Sequence, residues 1–439
     1  MGTIKTLPVV SVIPLALCGF VGILLVFPQQ GITPPSGNPL SVTVVGKQDS
    51  SGDWPHWLGP KYDGISEDQL WSPETFKKGP KELWKASVGI GYSSFAISDG
   101  KLYTMGHDGK KPKGKETVYC VDTETGKTVW QFDYESLLVD NTHSGGPGAT
   151  PAVDEKNVYA LSREGMLYCL DKVTGKEVWS KQLATLVGVA LPPWGFTCSP
   201  LLLEDKVILD VGCTIALNKE SGKEIWRSEK FHPGYGAARP LTIAGEEMVA
   251  VLNNDFVMIF NAKTGKEFAR SKWKTNFDCS ASTPVVIDDT IFISTGYNEG
   301  CVLLKITDKG LEPIYENRKM RNHFNNTVYW EGNLYGIDGN THSRRRGKIV
   351  CMDYKTGEEK WNKVGYGVGS VLVSRGYLII LSDEGDLILA KASAEKYDEL
   401  AKHRVLNGLC WTVPVLTGGR LYCRDATGNL VCLDLTESS

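Results

Sequence analysis

The chain is 439 residues long, with 41% hydrophobic and 23% charged side chains, the composition of a folded body. A formal net charge of −3 excludes the strong basic excess of a dedicated nucleic-acid binder. The high counts of 47 Gly and 12 Trp point to many tight turns around large packed side chains.

From the N-terminus, Lys5 precedes LPVVSVIPLALCGFVGILLVF at 7–27, an uncharged run close to the ~20 residues that span a bilayer. No small-x-small site follows it. The run therefore reads as an uncleaved membrane anchor or as a signal peptide cut at an atypical site. Cys18 matches a lipoprotein cysteine poorly, because Leu17 stands where a small residue is expected. Either reading places the protein outside the cytoplasm, in the periplasm or cell envelope. Residues 28–52, rich in Pro, Gly, Ser and Gln, read as a flexible linker. The folded domain is expected over 53–439.

Within that domain one phrase recurs: VYCVD at 118, LYCLD at 167, TIALN at 214, VMIFN at 257, VLLKI at 302, IVCMD at 349, LILAK at 387 and LVCLD at 430. A second series starts with GKLYTMG at 100 and ends with GRLYCRD at 419, and it also has eight members. Periods of this size mark repeat architectures. Each unit divides into four short strands. The Asp-x-x-Thr-Gly-Lys segment is a hairpin turn, in which Gly126, Gly175, Gly222, Gly265 and Gly357 supply positive φ. A Trp then closes the unit (Trp130, Trp179, Trp226, Trp361), with Phe268 and Tyr315 as stand-ins, packing between neighbouring sheets.

Radially repeated four-stranded units predict an all-β, eight-bladed β-propeller. The last unit lacks a Trp strand, whereas KELWKAS at 81–87 is a Trp strand with nothing before it. The two should complete one blade and leave no open edge. Of eleven cysteines, Cys120, Cys169, Cys351 and Cys432 recur at one phase and read as small buried hydrophobes.

These repeats resemble the PQQ-like (pyrroloquinoline-quinone) β-propeller repeat of quinoprotein alcohol dehydrogenases and of the outer-membrane assembly lipoprotein BamB. DWPHWLGPKYDGIS at 53–66 and GYSSFAISDGKLYTMG at 91–106 resemble exported propellers of planctomycete-type bacteria. The resemblance covers roughly 53–435 and implies the fold; one superfold hosts unrelated roles. The quinoprotein enzymes hold PQQ beneath a disulfide between adjacent cysteines, with Ca²⁺ on nearby Glu, Asn and Asp. This chain has no Cys-Cys pair and no evident calcium loop or haem motif. The resemblance thus implies a non-catalytic binding scaffold of the assembly-factor type, without PQQ or metal. A PQQ-dependent dehydrogenase, or another propeller enzyme such as a lyase or glycosidase, is the alternative.

A binding site is expected where the blade-to-blade loops converge on the channel mouth. The candidates are Tyr92, His143, Trp194, Tyr235, Arg239, Asp278, His323, Asn325 and Trp411. The basic loops at 110–115 and 344–346 should open on the same face. Aromatics with Arg and His suit a sugar or an acidic peptide group, the guanidinium forking a carboxylate. The competing structural reading has Gly and Pro shaping strand starts, Trp194 or Trp411 plugging the channel, and Arg239 bridging to Asp278. No catalytic residue can be assigned: HxxxH and Gly-x-Ser-x-Gly are both absent. The expected partner is a protein or glycan on the loop face, with membrane contact through the N-terminal run and a monomeric propeller.

Overall fold

The computed structural model describes residues 40–44, 52–140 and 143–437, the side chains of 343–345 excepted. The run at 7–27 lies outside these residues. None of the described helices is long and apolar enough to cross a membrane.

The turn phrase folds as its chemistry requires. Asp122 Oδ1 accepts from the Thr125 amide (3.0 Å) and hydroxyl (2.9 Å), and the Gly126 amide closes the turn on the Asp122 carbonyl at 2.9 Å. Asp171, Asn218, Asn261 and Asp353 repeat the arrangement. The Trp of the preceding unit lies on this turn. Trp84, Trp130, Trp179 and Trp226 donate their indole N–H to the carbonyls of Thr123, Lys172, Lys219 and Ala262 at 2.8–3.0 Å. Their rings pass so close to Gly126, Gly175, Gly222 and Gly265 that a Cβ there would sit 2.6–2.7 Å from an indole carbon. Glycine is thus needed twice over, for positive φ and for the approach.

Across each outer hairpin the Trp faces a small residue: Cys120 for Trp130, Cys169 for Trp179, Ala216 for Trp226, Cys351 for Trp361 and Cys432 for Trp84. That leaves the indole room to lie over onto its neighbour, and all four recurring cysteines are buried and free. Tyr315 does stand in for Trp, its hydroxyl donating to the Tyr354 carbonyl at 3.0 Å. Phe268 does not. The register puts Ala269 at the Trp position of that blade, opposite Ile259, and Ala401 holds it opposite Leu389 in the seventh. The blades that follow these two alanines lack a Thr-Gly turn. The fifth turns through Thr307–Gly310, and the eighth is assembled from both chain ends.

The eight sheets are antiparallel, each built from four repeat strands. Blades 1–7 span 96–137, 152–182, 201–227, 239–272, 285–317, 328–364 and 370–404. Blade 8 joins three C-terminal strands to Lys81–Ser87, which pairs antiparallel with Asn429–Asp434, as the unpaired Trp84 strand implied. At the seam between blades 7 and 8, where Ala401 replaces an aromatic, lies a groove of about 520 Å³.

Residues 53–66 run through the channel and reach every blade at or just before its inner strand. Trp54 pairs with Ile97 in blade 1, and the Pro55 carbonyl accepts from Val153 (2.8 Å) in blade 2. Tyr62 donates to the Leu202 carbonyl (3.1 Å) in blade 3, and Arg239 of blade 4 donates to the Lys61 carbonyl. Trp57 donates to Thr283 Oγ1 (3.1 Å) at blade 5, and Gly64 packs on Val328 of blade 6. Ile65 runs parallel to Val373 in blade 7, and Ser66 donates to the Leu416 carbonyl (2.7 Å) in blade 8. Within the stretch expected as a tether, Val42–Val44 also forms a strand, antiparallel to Arg239–Ile243.

Replacing Trp226 by Ala should cost about 3–5 kcal/mol, the range for emptying a buried aromatic site. Chemical denaturation also discriminates the two demands on the turn glycine. Gly222→Ala, with positive φ and a crowded Cβ, should destabilise clearly more than Gly376→Ala, which has positive φ and open space.

Candidate functional site

At the start of its inner strand each blade is tied to the next by a short hydrogen bond, and the ties close a ring. The Ser94 amide donates to Thr150 Oγ1 (3.0 Å) and the Thr150 amide to Ser199 Oγ (2.9 Å). Thr197 Oγ1 donates to the Tyr235 carbonyl (3.1 Å), and the Ala237 amide to Thr283 Oγ1 (3.2 Å). The Thr283 amide donates to Asn326 Oδ1 (3.3 Å), and Asn325 Nδ2 to the Val368 carbonyl (2.9 Å). Ser370 Oγ donates to the Thr412 carbonyl (3.2 Å), and Ser94 Oγ to the Val413 carbonyl (2.9 Å). Small hydroxyls and amides suit these positions because they satisfy buried backbone groups without filling the channel.

Above this ring lies a pocket of about 290 Å³, at the lower end of small-molecule sites (~300–1,000 Å³). Its wall is a chain of touching rings. Tyr92 meets His143 edge-on (centroids 5.2 Å) and stacks on Trp411 (5.2 Å, interplanar 25°). Trp411 meets Phe324 at 4.7 Å, Phe324 meets His323 at 5.0 Å, and His323 meets Tyr297 at 4.8 Å. Trp194 and Tyr235 form a separate edge-on pair at 5.7 Å. Trp57 of the channel segment also lines the pocket.

The site is electrically quiet. No described lining residue carries a carboxylate, lysine or arginine. His323 is 6% exposed, and burial with nearby His342 pushes its imidazole down to about 4. His143 is also lowered, first by burial and then by Arg163, and its Nδ1 accepts the Gly145 amide at 3.0 Å. Cys279 Sγ lies 3.9 Å from His323 Nε2, but burial pushes its thiol up to about 12. Both shifts oppose the thiolate–imidazolium form that an activated Cys–His pair needs. Two polar atoms of the lining are buried without a partner, His323 Nδ1 and Trp411 Nε1. Among the described residues no cluster of three His, Cys, Asp or Glu could hold a metal.

Residues 114–396, more than half of the chain, match the family model described as outer membrane protein assembly factor BamB. The chain belongs to this family. A stretch of 221 residues is 28% identical to the quinoprotein alcohol dehydrogenase PedH of Pseudomonas putida. It covers 47% of this chain and 34% of that enzyme, so the chain matches about a third of the length of this relative. In structure the propeller resembles BamB from Moraxella catarrhalis (TM-score 0.58, 14% identity, covering 82% of this chain and 98% of that one). It also resembles quinohemoprotein alcohol dehydrogenase from Comamonas testosteroni (TM-score 0.64, 12% identity, 89% and 82%). These structural likenesses establish the fold.

Of the residues expected at the mouth of this BamB-family propeller, Tyr92, His143, Trp194, Tyr235, His323 and Trp411 line the pocket together. Three others do not. Arg239 is 2% exposed inside the channel, 5.9 Å from the Tyr62 ring, and its partner is the Lys61 carbonyl rather than Asp278. Asp278 is exposed on the Asn276–Asp278 turn. Asn325 is consumed by the tie between blades 6 and 7. Of the two basic loops, Lys111 pairs with Asp140. The side chains of Arg344 and Arg345 fall outside the described set.

Trp57, Phe324, Tyr297 and His342 line the pocket as well, without having been anticipated. Tyr297 and His342 sit in second-to-third-strand connections, which open on the same face as the blade-to-blade loops, and that placement was available from the repeat. Trp57 lies outside every repeat, and nothing in the spacing marks it.

Arg239 is a clamp on the channel segment. Arg239→Ala should destabilise by about 1.5–3 kcal/mol, the scale of a buried hydrogen bond from a charged group. Ligand binding per folded molecule should be unchanged, as read by unfolding curves beside calorimetry.

Proposed function

We propose that this protein is a non-catalytic propeller that works as a binding scaffold, with the aromatic pocket at the loop face as its contact point. The observation that carries this reading is the pairing of a filled channel with a pocket whose described lining holds no carboxylate, lysine or arginine. General acid–base or hydrolytic chemistry needs a group that can exchange a proton near neutral pH. Burial holds His323 and Cys279 far from that range and lowers His143 as well. His342, exposed at the rim, has no carboxylate in the described lining to orient it. Large rings around a shallow pocket are instead the make-up of a recognition hot spot. The partner is a protein or glycan presented to the loop face. The family's description as an outer-membrane assembly factor and the apolar run at 7–27 support an exported or membrane-tethered protein of the cell envelope.

The alternative is a quinoprotein dehydrogenase, which the partial match to PedH favours. PQQ is a planar tricarboxylate bound with a divalent cation. The rings present could stack on its plane, but the described lining offers neither cations for its carboxylates nor carboxylate ligands for the metal, only hydroxyls. The donor set does not fit the group. Titrating the protein with PQQ and Ca²⁺ in a calorimeter should give no stoichiometric uptake. Tight one-to-one binding, with alcohol-dependent dye reduction, would favour the enzyme.

A further inference from the structure

We propose that the mouth pocket receives one large aromatic side chain of a polypeptide, whose chain leaves the pocket over a lip that includes Phe277 and Leu191. This rests on reading the pocket as the binding site, and it names the class of partner.

The lip is the feature that the pocket alone does not explain. Phe277 is 74% exposed. Its backbone stands at φ 63°, and that of Asp278 at 48°, in the left-handed region that a bulky side chain seldom enters. In the nearby strand connection Tyr297 (52°) and Asn298 (70°) repeat the pattern. The two turns bring the Phe277 and Tyr297 rings to 4.9 Å, and Tyr297 belongs to the pocket wall. Both turns are held in place. Asn254 Nδ2 donates to the Asp278 carbonyl (2.7 Å), and Asn276 Nδ2 donates to the Tyr297 carbonyl (3.3 Å). Backbone fixed in a costly conformation that leaves a ring in water buries little for the fold, and such strain gathers where ligands are gripped.

A second part of the lip lies beyond Tyr235, whose amide donates to the Ser280 carbonyl at 2.8 Å and whose ring meets Trp194. The Pro192–Gly195 turn carries Trp194 in the wall, and Leu191, 45% exposed, stands just before it. Three consecutive blade connections thus present rings inside the pocket and large apolar side chains at its edge.

Size then selects the ligand. A molecule that fills about 290 Å³ meets Tyr297 and Trp194 but leaves Phe277 and Leu191 in water. A peptide reaches both. One aromatic side chain packs against the wall rings, and the residues beside it cover the lip, which gains from the apolar area removed from water. An aromatic anchor in a pocket bordered by further contacts is the make-up of a protein hot spot. A glycan chain would also extend past the pocket, but Leu191 has nothing to offer a sugar hydroxyl.

The test is saturation-transfer NMR on the whole protein with three probes at millimolar concentration. Two are the acetylated, amidated pentapeptides Gly-Gly-Trp-Gly-Gly and Gly-Gly-Ser-Gly-Gly, and the third is the glycan triacetylchitotriose. The expected result is transfer to the indole protons of the tryptophan peptide and none to the serine peptide. Phe277→Gly should weaken the tryptophan peptide roughly three- to tenfold. It should also leave the melting temperature within about 3 °C of wild type, because relief of the left-handed backbone offsets the added freedom of the unfolded chain. Phe277→Asn, which also accepts that backbone, should behave alike. If triacetylchitotriose binds and the tryptophan peptide does not, the pocket is a site for a glycan and the peptide proposal fails. If no probe binds, the proposal and the reading of the pocket as a contact point fail together. Tryptophan-peptide binding that both variants leave unchanged, or a large fall in melting temperature in both, makes Phe277 structural and overturns the lip.

Discussion

An indole lying on the next blade's turn is the contact on which this structure most depends. A four-stranded sheet has two apolar faces, and each is stable only when a neighbour covers it. The Trp of the outermost strand covers the gap at the rim, and its N–H fixes the angle by reaching one carbonyl of the adjacent turn. The turn must carry glycine because the ring passes where a Cβ would be. Trp84, Trp130, Trp179 and Trp226 each share one such feature with the next blade's glycine turn. Trp361 clasps without a glycine, donating to the Ser393 carbonyl (2.8 Å) in blade 7, whereas Ala269 and Ala401 leave the clasp out.

Two further closures act nearer the axis. The ring of hydroxyl and amide ties joins the inner strands on the loop side, and residues 53–66 join them from within the channel. Together they supply contacts at the two places where the rim clasp is missing. Ala237–Thr283 spans blades 4 and 5, and Ser370–Thr412 spans blades 7 and 8. Their effect on the site is direct. The channel segment brings Trp57 into the pocket lining and Trp57 bonds Thr283, itself a member of the ring. The pocket is thus built on backbone held from both sides, which suits recognition by preorganised surfaces more than by moving parts.

Much of this was legible in the sequence because the repeat is local. Asp122, Thr125, Gly126 and Trp130 lie within one hairpin, so turn, strand and clasp can be read together, and the unpaired Trp84 strand revealed the shared blade. The converging loops also marked most of the aromatic wall. What could not be read depends on register or on distant contacts. Phe268 and Ala269 are neighbours, and only the pairing with Ile259 decides which of them faces the next blade. Arg239 sits one residue into an inner strand, where its side chain turns into the channel toward a partner 178 positions earlier. The role of 53–66 escaped notice because that stretch has no period of its own. Its conformation is set by eight inner strands at once.

The central claim is that the propeller is closed through its axis, leaving the loop-face pocket as the place where a partner can engage. Hydrogen exchange over residues 53–66 tests this most directly. The account predicts that the Trp54 amide, which donates to the Ile97 carbonyl, exchanges as slowly as the inner-strand amides around it and opens only with global unfolding. Rapid exchange of this segment in an otherwise protected propeller would mean an open channel. It would also remove the support beneath Trp57 and contradict the account of the site.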